Sequence, residues 1–131
     1  MFQQQPQNDV SKSALFENVA PPLSVGILKC IKSSFGFREM TPVQAAVIPV
    51  FLRNKDVCVE AETGSGKTIS FLIPMIEMIL RRETPLRKAE VGGLVVSPTR
   101  ELAMQTHAVA TTLCDAVGLP KVRTILQYNY S

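Results

Sequence analysis

The run Ala61-Glu62-Thr63-Gly64-Ser65-Gly66-Lys67-Thr68 constrains this chain more than any other. It follows a short β-branched run, Val57-Cys58-Val59, and opens a largely apolar stretch that continues to about Arg81. A Gly-rich loop ending in Gly-Lys-Thr between a strand and a helix is the setting of a phosphate-binding loop. Gly64 and Gly66 let the backbone curl so that successive N–H groups point at one phosphate, and the helix that starts there adds its positive end. Lys67 serves as a point charge for the β- and γ-phosphates, and Thr68 offers a hydroxyl to Mg²⁺. Ala61 stands where the general pattern has its first Gly, so that position needs no positive φ. The dinucleotide fingerprint Gly-x-Gly-x-x-Gly fails, because its third Gly would fall on Ile69. Such a loop says only nucleoside triphosphate, and kinases, transporters, GTPases and helicases all remain open.

The flanking sequence fills in the architecture. Pro21-Pro22 opens a helical pattern in which Leu23, Ile27, Leu28 and Ile31 share one face, and the pattern stops near Ser34 to Gly36. Thr41-Pro42 reads as an N-cap followed by Pro at the first helical position. Val43, Val47, Ile48 and Phe51 make the next apolar face, which ends before Asn54. The helix after the loop is apolar almost all round, so it needs cover on most sides, and Pro74 should bend it. Arg81 to Glu90 is a charged connector, read as a solvated loop. Leu94-Val95-Val96 is a second strand and Thr99 to Ala116 a second long helix. After the break at Gly118-Leu119-Pro120, Val122 to Leu126 is a third strand. Strands alternating with helices imply an α/β domain with a parallel sheet and flanking helices.

Composition narrows the class. The 131 residues make about one small domain, 46% hydrophobic and 19% charged, which excludes a disordered chain and a membrane protein. The net charge of +3 permits a nucleic-acid partner without arguing for one. Cys30, Cys58 and Cys114 lie far apart, with no Cys-x-x-Cys pair and a single His107. No disulfide and no protein-only metal site is expected, and a reduced intracellular compartment fits. Cys58, in the first strand, reads as a small buried hydrophobe. Met1 to Asp9 carry neither a basic region nor an apolar one and so are not a signal peptide, and residues 1–13 read as a loose, disordered N-terminus. The run Ile69 to Leu80 is shorter than the roughly 20 residues a membrane span requires, so the chain is expected to be soluble, without a membrane partner.

Two more segments choose among the triphosphate-binding families. One is Gly36-Phe37-Arg38-Glu39-Met40-Thr41-Pro42-Val43-Gln44, with Phe16 upstream; the other is Pro98-Thr99-Arg100-Glu101-Leu102-Ala103, directly after the second strand. With the phosphate loop they resemble the Q motif, motif Ia and motif I of the DEAD-box RNA helicases, in that family's order, over about residues 14 to 126. The resemblance implies a P-loop NTPase fold of RecA-like type, with 14–44 as the Q-motif region and 45–131 as a partial ATP-binding domain. It implies that Gln44 and the Phe37 ring recognise adenine. Thr41, Ala61, Glu62, Thr63, Gly64, Ser65, Gly66, Lys67 and Thr68 complete the ATP site. The resemblance implies Lys67 and Thr68 as its catalytic members and Thr68 as a ligand for Mg²⁺. An amide that both donates and accepts suits adenine N6 and N7. It also implies that Pro98, Thr99, Arg100 and Glu101 grip the RNA backbone, a sequence-independent and salt-sensitive contact. Within the family, the run Val50 to Val57 and the pair Arg81-Arg82 look most like members that mature the large ribosomal subunit. That implies pre-ribosomal RNA as substrate and the nucleolus of the nucleus as location.

Other parts that the resemblance implies are not in these residues. The aspartates are Asp9, Asp56 and Asp115, and none is followed by Glu, so the carboxylates of the name-giving motif are missing, as are the SAT motif and the second RecA-like domain. The tail Gln127-Tyr128-Asn129-Tyr130-Ser131 departs from the Gly pair that the family would show there. The chain is read as a truncated helicase segment, inactive alone, with open sheet edges that make it prone to associate. Two rival readings stand beside it. One is a non-catalytic fragment that binds nucleotide or RNA weakly or competes for a helicase's partners. The other is a different P-loop ATPase or kinase.

Overall fold

Residues 14–120 and 122–126 are described by a computed structural model. The loose N-terminus expected at 1–13 and the tail 127–131 lie outside them. A 3-10 turn at Phe16–Asn18 leads to four helices: α1, Val25–Ser33; α2, Pro42–Leu52; α3, Lys67–Leu80; and α4, Arg100–Val117.

Local chemistry sets the helix ends. Thr41 caps α2 in a reciprocal box: its hydroxyl accepts from the Gln44 N–H, and the Gln44 side chain accepts from the Thr41 N–H, with Pro42 at the first helical position. Thr99 caps α4 by accepting from the Leu102 N–H, and Gly118 closes that helix in the left-handed conformation. The start of α1 corrects the sequence expectation. Pro21 and Pro22 precede the helix, Pro21 in a bend behind a cis Ala20–Pro21 bond, and Ser24, at ψ 150°, is the N-cap.

The core is built around α3. Leu72, Ile73 and Ile76 are at most 1% exposed, and they pack in one cluster with Ile27 and Ile31 of α1, Ile48 and Leu52 of α2, and Leu113 of α4. Helix α3 packs against both α2 and α4, and α4 also packs against α1. The near-continuous apolar pattern of α3 is accounted for by this cover. Gly26 lets α1 approach the end of α4, since a Cβ there would sit 3.0 Å from a Val117 methyl and 3.1 Å from the Ala116 carbonyl oxygen.

The expected parallel sheet is not formed among the described residues. Their one β-bridge joins Leu15 and Glu39. Segments 57–59, 94–96 and 122–126 are not assigned as strands and have no backbone–backbone hydrogen bond among the described residues. The physical reason is that a strand's bonding groups are satisfied only by neighbouring strands, and segments this short do not hold a sheet without them. The first two segments instead line a crevice of about 530 Å³. Cys58, expected to be buried in the first strand, is exposed for the same reason.

Candidate nucleotide-binding site

The phosphate loop lies where the sequence puts it, between segment 57–59 and the start of α3. Gly64 and Gly66 have φ of +81° and +85°, and among the described residues Asn54 alone has a positive φ without being glycine. Ala61 therefore needs no left-handed backbone, as expected. Gly66 is the N-cap of α3, so the N–H groups of Lys67, Thr68 and Ile69 have no intrahelical acceptor. They open on the loop, where the helix dipole favours an anion. The Lys67 ammonium folds back onto the Ala61 carbonyl oxygen. The Ser65 hydroxyl is buried with no partner among the described residues. Nothing lies within 4 Å of the point where a Gly64 side chain would begin. An open cradle, an orphan hydroxyl and a positive helix end fit a phosphate group.

The Q-motif residues are wired to this loop. The Thr41 hydroxyl donates to the Ser65 carbonyl at 2.8 Å, and the Gln44 Nε2 donates to the Gly66 carbonyl at 3.2 Å. Gln44 Oε1 accepts from the Thr41 N–H at 2.9 Å. These partners fix which end of the amide is which, since a carbonyl needs the nitrogen and an N–H needs the oxygen. The residue is 3% exposed. A Cβ on Gly66 would stand 2.4 Å from Gln44 Nε2, so only glycine there leaves room for this bond. Each end of the amide keeps one unused site, one hydrogen on nitrogen and one lone pair on oxygen. Phe37 is 45% exposed and stacks on Phe35, with ring centroids 6.2 Å apart.

Residues 98–101 are all exposed at the start of α4. Lys67 and Thr68 line the 530 Å³ crevice together with Ser97 and Leu102, so the phosphate loop and the second segment face one crevice. Two cations of the basic connector are engaged within the chain. Arg81 donates to the Pro22 carbonyl, and Arg82 pairs with Glu90 at 2.5 Å. The Arg87 backbone N–H, and then the Arg82 guanidinium, hold the Glu90 carboxyl below its ordinary range. His107 is satisfied, with Thr124 at 2.7 Å on Nδ1 and Thr111 at 3.4 Å on Nε2. Among the described residues no group of three or more His, Cys, Asp or Glu could hold a metal ion, and no helix is long and apolar enough to cross a membrane.

Sequence reasoning passed over Glu77. It is 2% exposed in α3, and its carboxylate accepts from the Ser24 N–H at 2.6 Å and meets Arg81 at 3.4 Å. The available signal was a lone carboxylate inside the apolar run Ile69 to Leu80, because such a group is buried only with partners.

Comparison with known proteins agrees with this geometry. Residues 41–129 match the family model for the DEAD/DEAH box helicase. The chain is 58% identical over 98 residues to an ATP-dependent rRNA helicase spb4 of Sclerotinia sclerotiorum, covering 75% of this chain and 16% of that protein. It is 52% identical over 103 residues to the protein of the same name from Aspergillus clavatus, covering 79% and 16%. Its fold resembles that of a DEAD box protein from the hyperthermophile Methanococcus jannaschii, with a TM-score of 0.65 and 36% identity over 76% of this chain and 25% of that one. It also resembles the RNA helicase Prp28 from Chaetomium thermophilum bound to ADP, with a TM-score of 0.72 and 34% identity over 83% and 26%. The chain thus spans about 16% of the length of the curated relatives it matches. A match running from the Thr41 cap through the phosphate loop and α4 places this chain in the DEAD/DEAH box helicase family.

Proposed function

We propose that this chain is the ATP-gripping segment of an ATP-dependent RNA helicase that acts on ribosomal RNA. The observation that carries the reading is the bonding of Thr41 and Gln44 to the Ser65 and Gly66 carbonyls, which ties a base-side helix to a phosphate cradle. A bidentate adenine contact needs one donor and one acceptor, and the Gln44 amide has one of each unused. Phe37, earlier in the same motif, offers an exposed ring for stacking on the base. Gly64, Ser65, Gly66 and the N–H groups opening α3 would take the phosphates, with Ala61, Glu62 and Thr63 shaping the loop. Lys67 would exchange the Ala61 carbonyl for phosphate oxygen. Thr68 would hold Mg²⁺ together with the phosphates, and the ion, when bound, neutralises charge on them.

Pro98, Thr99, Arg100 and Glu101 would meet the RNA backbone. Their exposure at a helix N-terminus, next in sequence to Ser97 and Leu102 of the crevice, supports that role. The relatives' name, ATP-dependent rRNA helicase, supports ribosomal RNA as substrate and the nucleolus as location. Segments 57–59, 94–96 and 122–126 would be strands of a RecA-like parallel sheet, which the likeness to DEAD box structures supports. A second reading is favoured by the three aspartates, none of which precedes a Glu. On it, this chain alone binds nucleotide without hydrolysing it, or competes for a helicase's partners.

Calorimetric titration with ATP and GTP, in the presence of Mg²⁺, tests the site. ATP should bind more tightly by roughly tenfold, since a bidentate base contact discriminates by about 1–3 kcal/mol. Lys67→Ala should abolish binding, and Gln44→Ala should bring ATP and GTP together. Equal affinity of the unmodified chain for ATP and GTP would remove the adenine reading. RNA-stimulated turnover by this chain that disappears in Lys67→Ala would remove the reading that it does not hydrolyse.

A further inference from the structure

The segment ahead of α1 is held in an unusual way. Residues 20, 22 and 24 each give one backbone atom to a charged side chain from α3 or from the end of α2. Arg53 donates to the Ala20 carbonyl at 3.4 Å, Arg81 to the Pro22 carbonyl at 2.7 Å, and Glu77 accepts from the Ser24 N–H at 2.6 Å. Three charged side chains thus hold the backbone of the stretch between the 3-10 turn and α1. Val19 and Leu23 are each 5% exposed and belong to the core. The Glu77 carboxylate is the most buried of the three charges, and its bond to the amide is charge-assisted.

The other end of the same segment braces the base-side loop. Met40 N–H donates to the Ala14 carbonyl at 2.6 Å, Phe16 N–H to the Arg38 carbonyl at 3.5 Å, and Leu15 bridges Glu39. Residues 38–40 lie directly between Phe37 and Thr41. Residues 14–24 therefore form a strap from the last turn of α3 to the loop that carries Phe37. Glu77 is ten residues beyond Lys67, about 15 Å along the helix, too far to touch a phosphate at the loop.

We propose that Glu77 is a positioning residue for base recognition, acting through the Ser24 amide and the 14–24 strap on the Phe37 loop. The inference rests on the adenine reading given under Proposed function. It sets the base side of the site apart from the phosphate side, which α3 holds by its own N-terminus.

The test compares ATP with inorganic tripolyphosphate, which has no base, by calorimetric titration of the 131-residue chain and variants whose far-ultraviolet circular dichroism matches it. Glu77→Ala should weaken ATP roughly five- to tenfold, part of the contribution of one hydrogen bond to a charged group, and leave tripolyphosphate within about twofold. Glu77→Gln should stay close to the unmodified chain for both ligands, because its amide oxygen still accepts from Ser24. Ser24→Pro removes the donor at a residue whose φ of −63° suits proline, and it should reproduce the ATP-selective loss without altering α3. It serves where Glu77→Ala does not fold. Unchanged ATP affinity in Glu77→Ala and Ser24→Pro, or equal losses for both ligands, would overturn the assignment. An unmodified chain that binds ATP no better than tripolyphosphate overturns the adenine reading instead, before any variant is compared.

Discussion

Helix α3 and the segment 94–96 are made of the same kind of residue and have opposite fates. Leu72 and Ile73 are fully buried, whereas Leu94 is 80% and Val96 85% exposed. Hydrophobicity cannot explain the difference, since both runs are apolar. Bonding does. A helix finds acceptors for its N–H groups four residues back in its own sequence, so α3 can form wherever its faces find cover. A strand's partners lie elsewhere in the chain, and 57–59, 94–96 and 122–126 have no backbone partner among the described residues. The helices, whose bonds are local, carry the core, and segments 57–59 and 94–96, whose bonds would be distant, border a crevice.

This contrast has a measurable size. Leu72→Ala should cost about 2–5 kcal/mol in denaturant unfolding, the range for deleting a fully buried leucine. A cost below about 1 kcal/mol would mean that α3 is not the centre of a packed core. Next comes the contact between α1 and α4. Gly26→Val pushes side-chain atoms at a backbone carbonyl and a methyl already at 3.0–3.1 Å from a bare Cβ, so a loss of about 1–3 kcal/mol is expected. An unchanged midpoint would show that α1 slides on α4. Thr99→Ala removes the cap of α4 and should cost about 1 kcal/mol. Hydrogen exchange should quicken in the first turn of α4 and leave α3 untouched. Equal acceleration in both would break the idea that the cap is a local term.

The sequence carried the local features and not the distant ones. Thr41-Pro42, the Gly66 start of α3 and the Thr99 cap could all be read because capping is decided within four residues. Pro21-Pro22 misled, because proline fits a first helical turn and a bend ahead of it equally well. What decided between them was Arg53, Arg81 and Glu77 taking the backbone of residues 20–24 from up to 59 positions away. Gln44 was read as an amide for a base, while its bond to Gly66, 22 residues on, needed the fold to be seen. The β-branched runs were legible as apolar runs, but the strands read there are not assigned among the described residues. Their burial was not legible, because it depends on pairing that no local pattern encodes. Cys58 shows the same gap in one residue, small and apolar in sequence yet exposed in the fold.

The smallest expected effect is the sharpest test of the comparison. Val96→Ala removes two methyl groups from a side chain already in contact with solvent, so stability should change by less than about 0.5 kcal/mol. A loss above 1 kcal/mol would mean that the segment is covered in solution, either by pairing with 57–59 or by a second copy of the chain. Sedimentation separates these. Burial within one chain leaves the mass constant with concentration, and burial between chains raises it. Thiol labelling gives an independent reading of the same region. Cys58 should alkylate first, and Cys30 and Cys114 should wait for unfolding. Burial, and then the charge of Asp115, push the Cys114 thiol above its ordinary range, so less of it is thiolate at any given pH and its labelling should need a more alkaline solution. Labelling of Cys114 ahead of Cys58 would reverse the contrast between the helical core and the extended segments, because it would place the cover on the wrong half of the molecule.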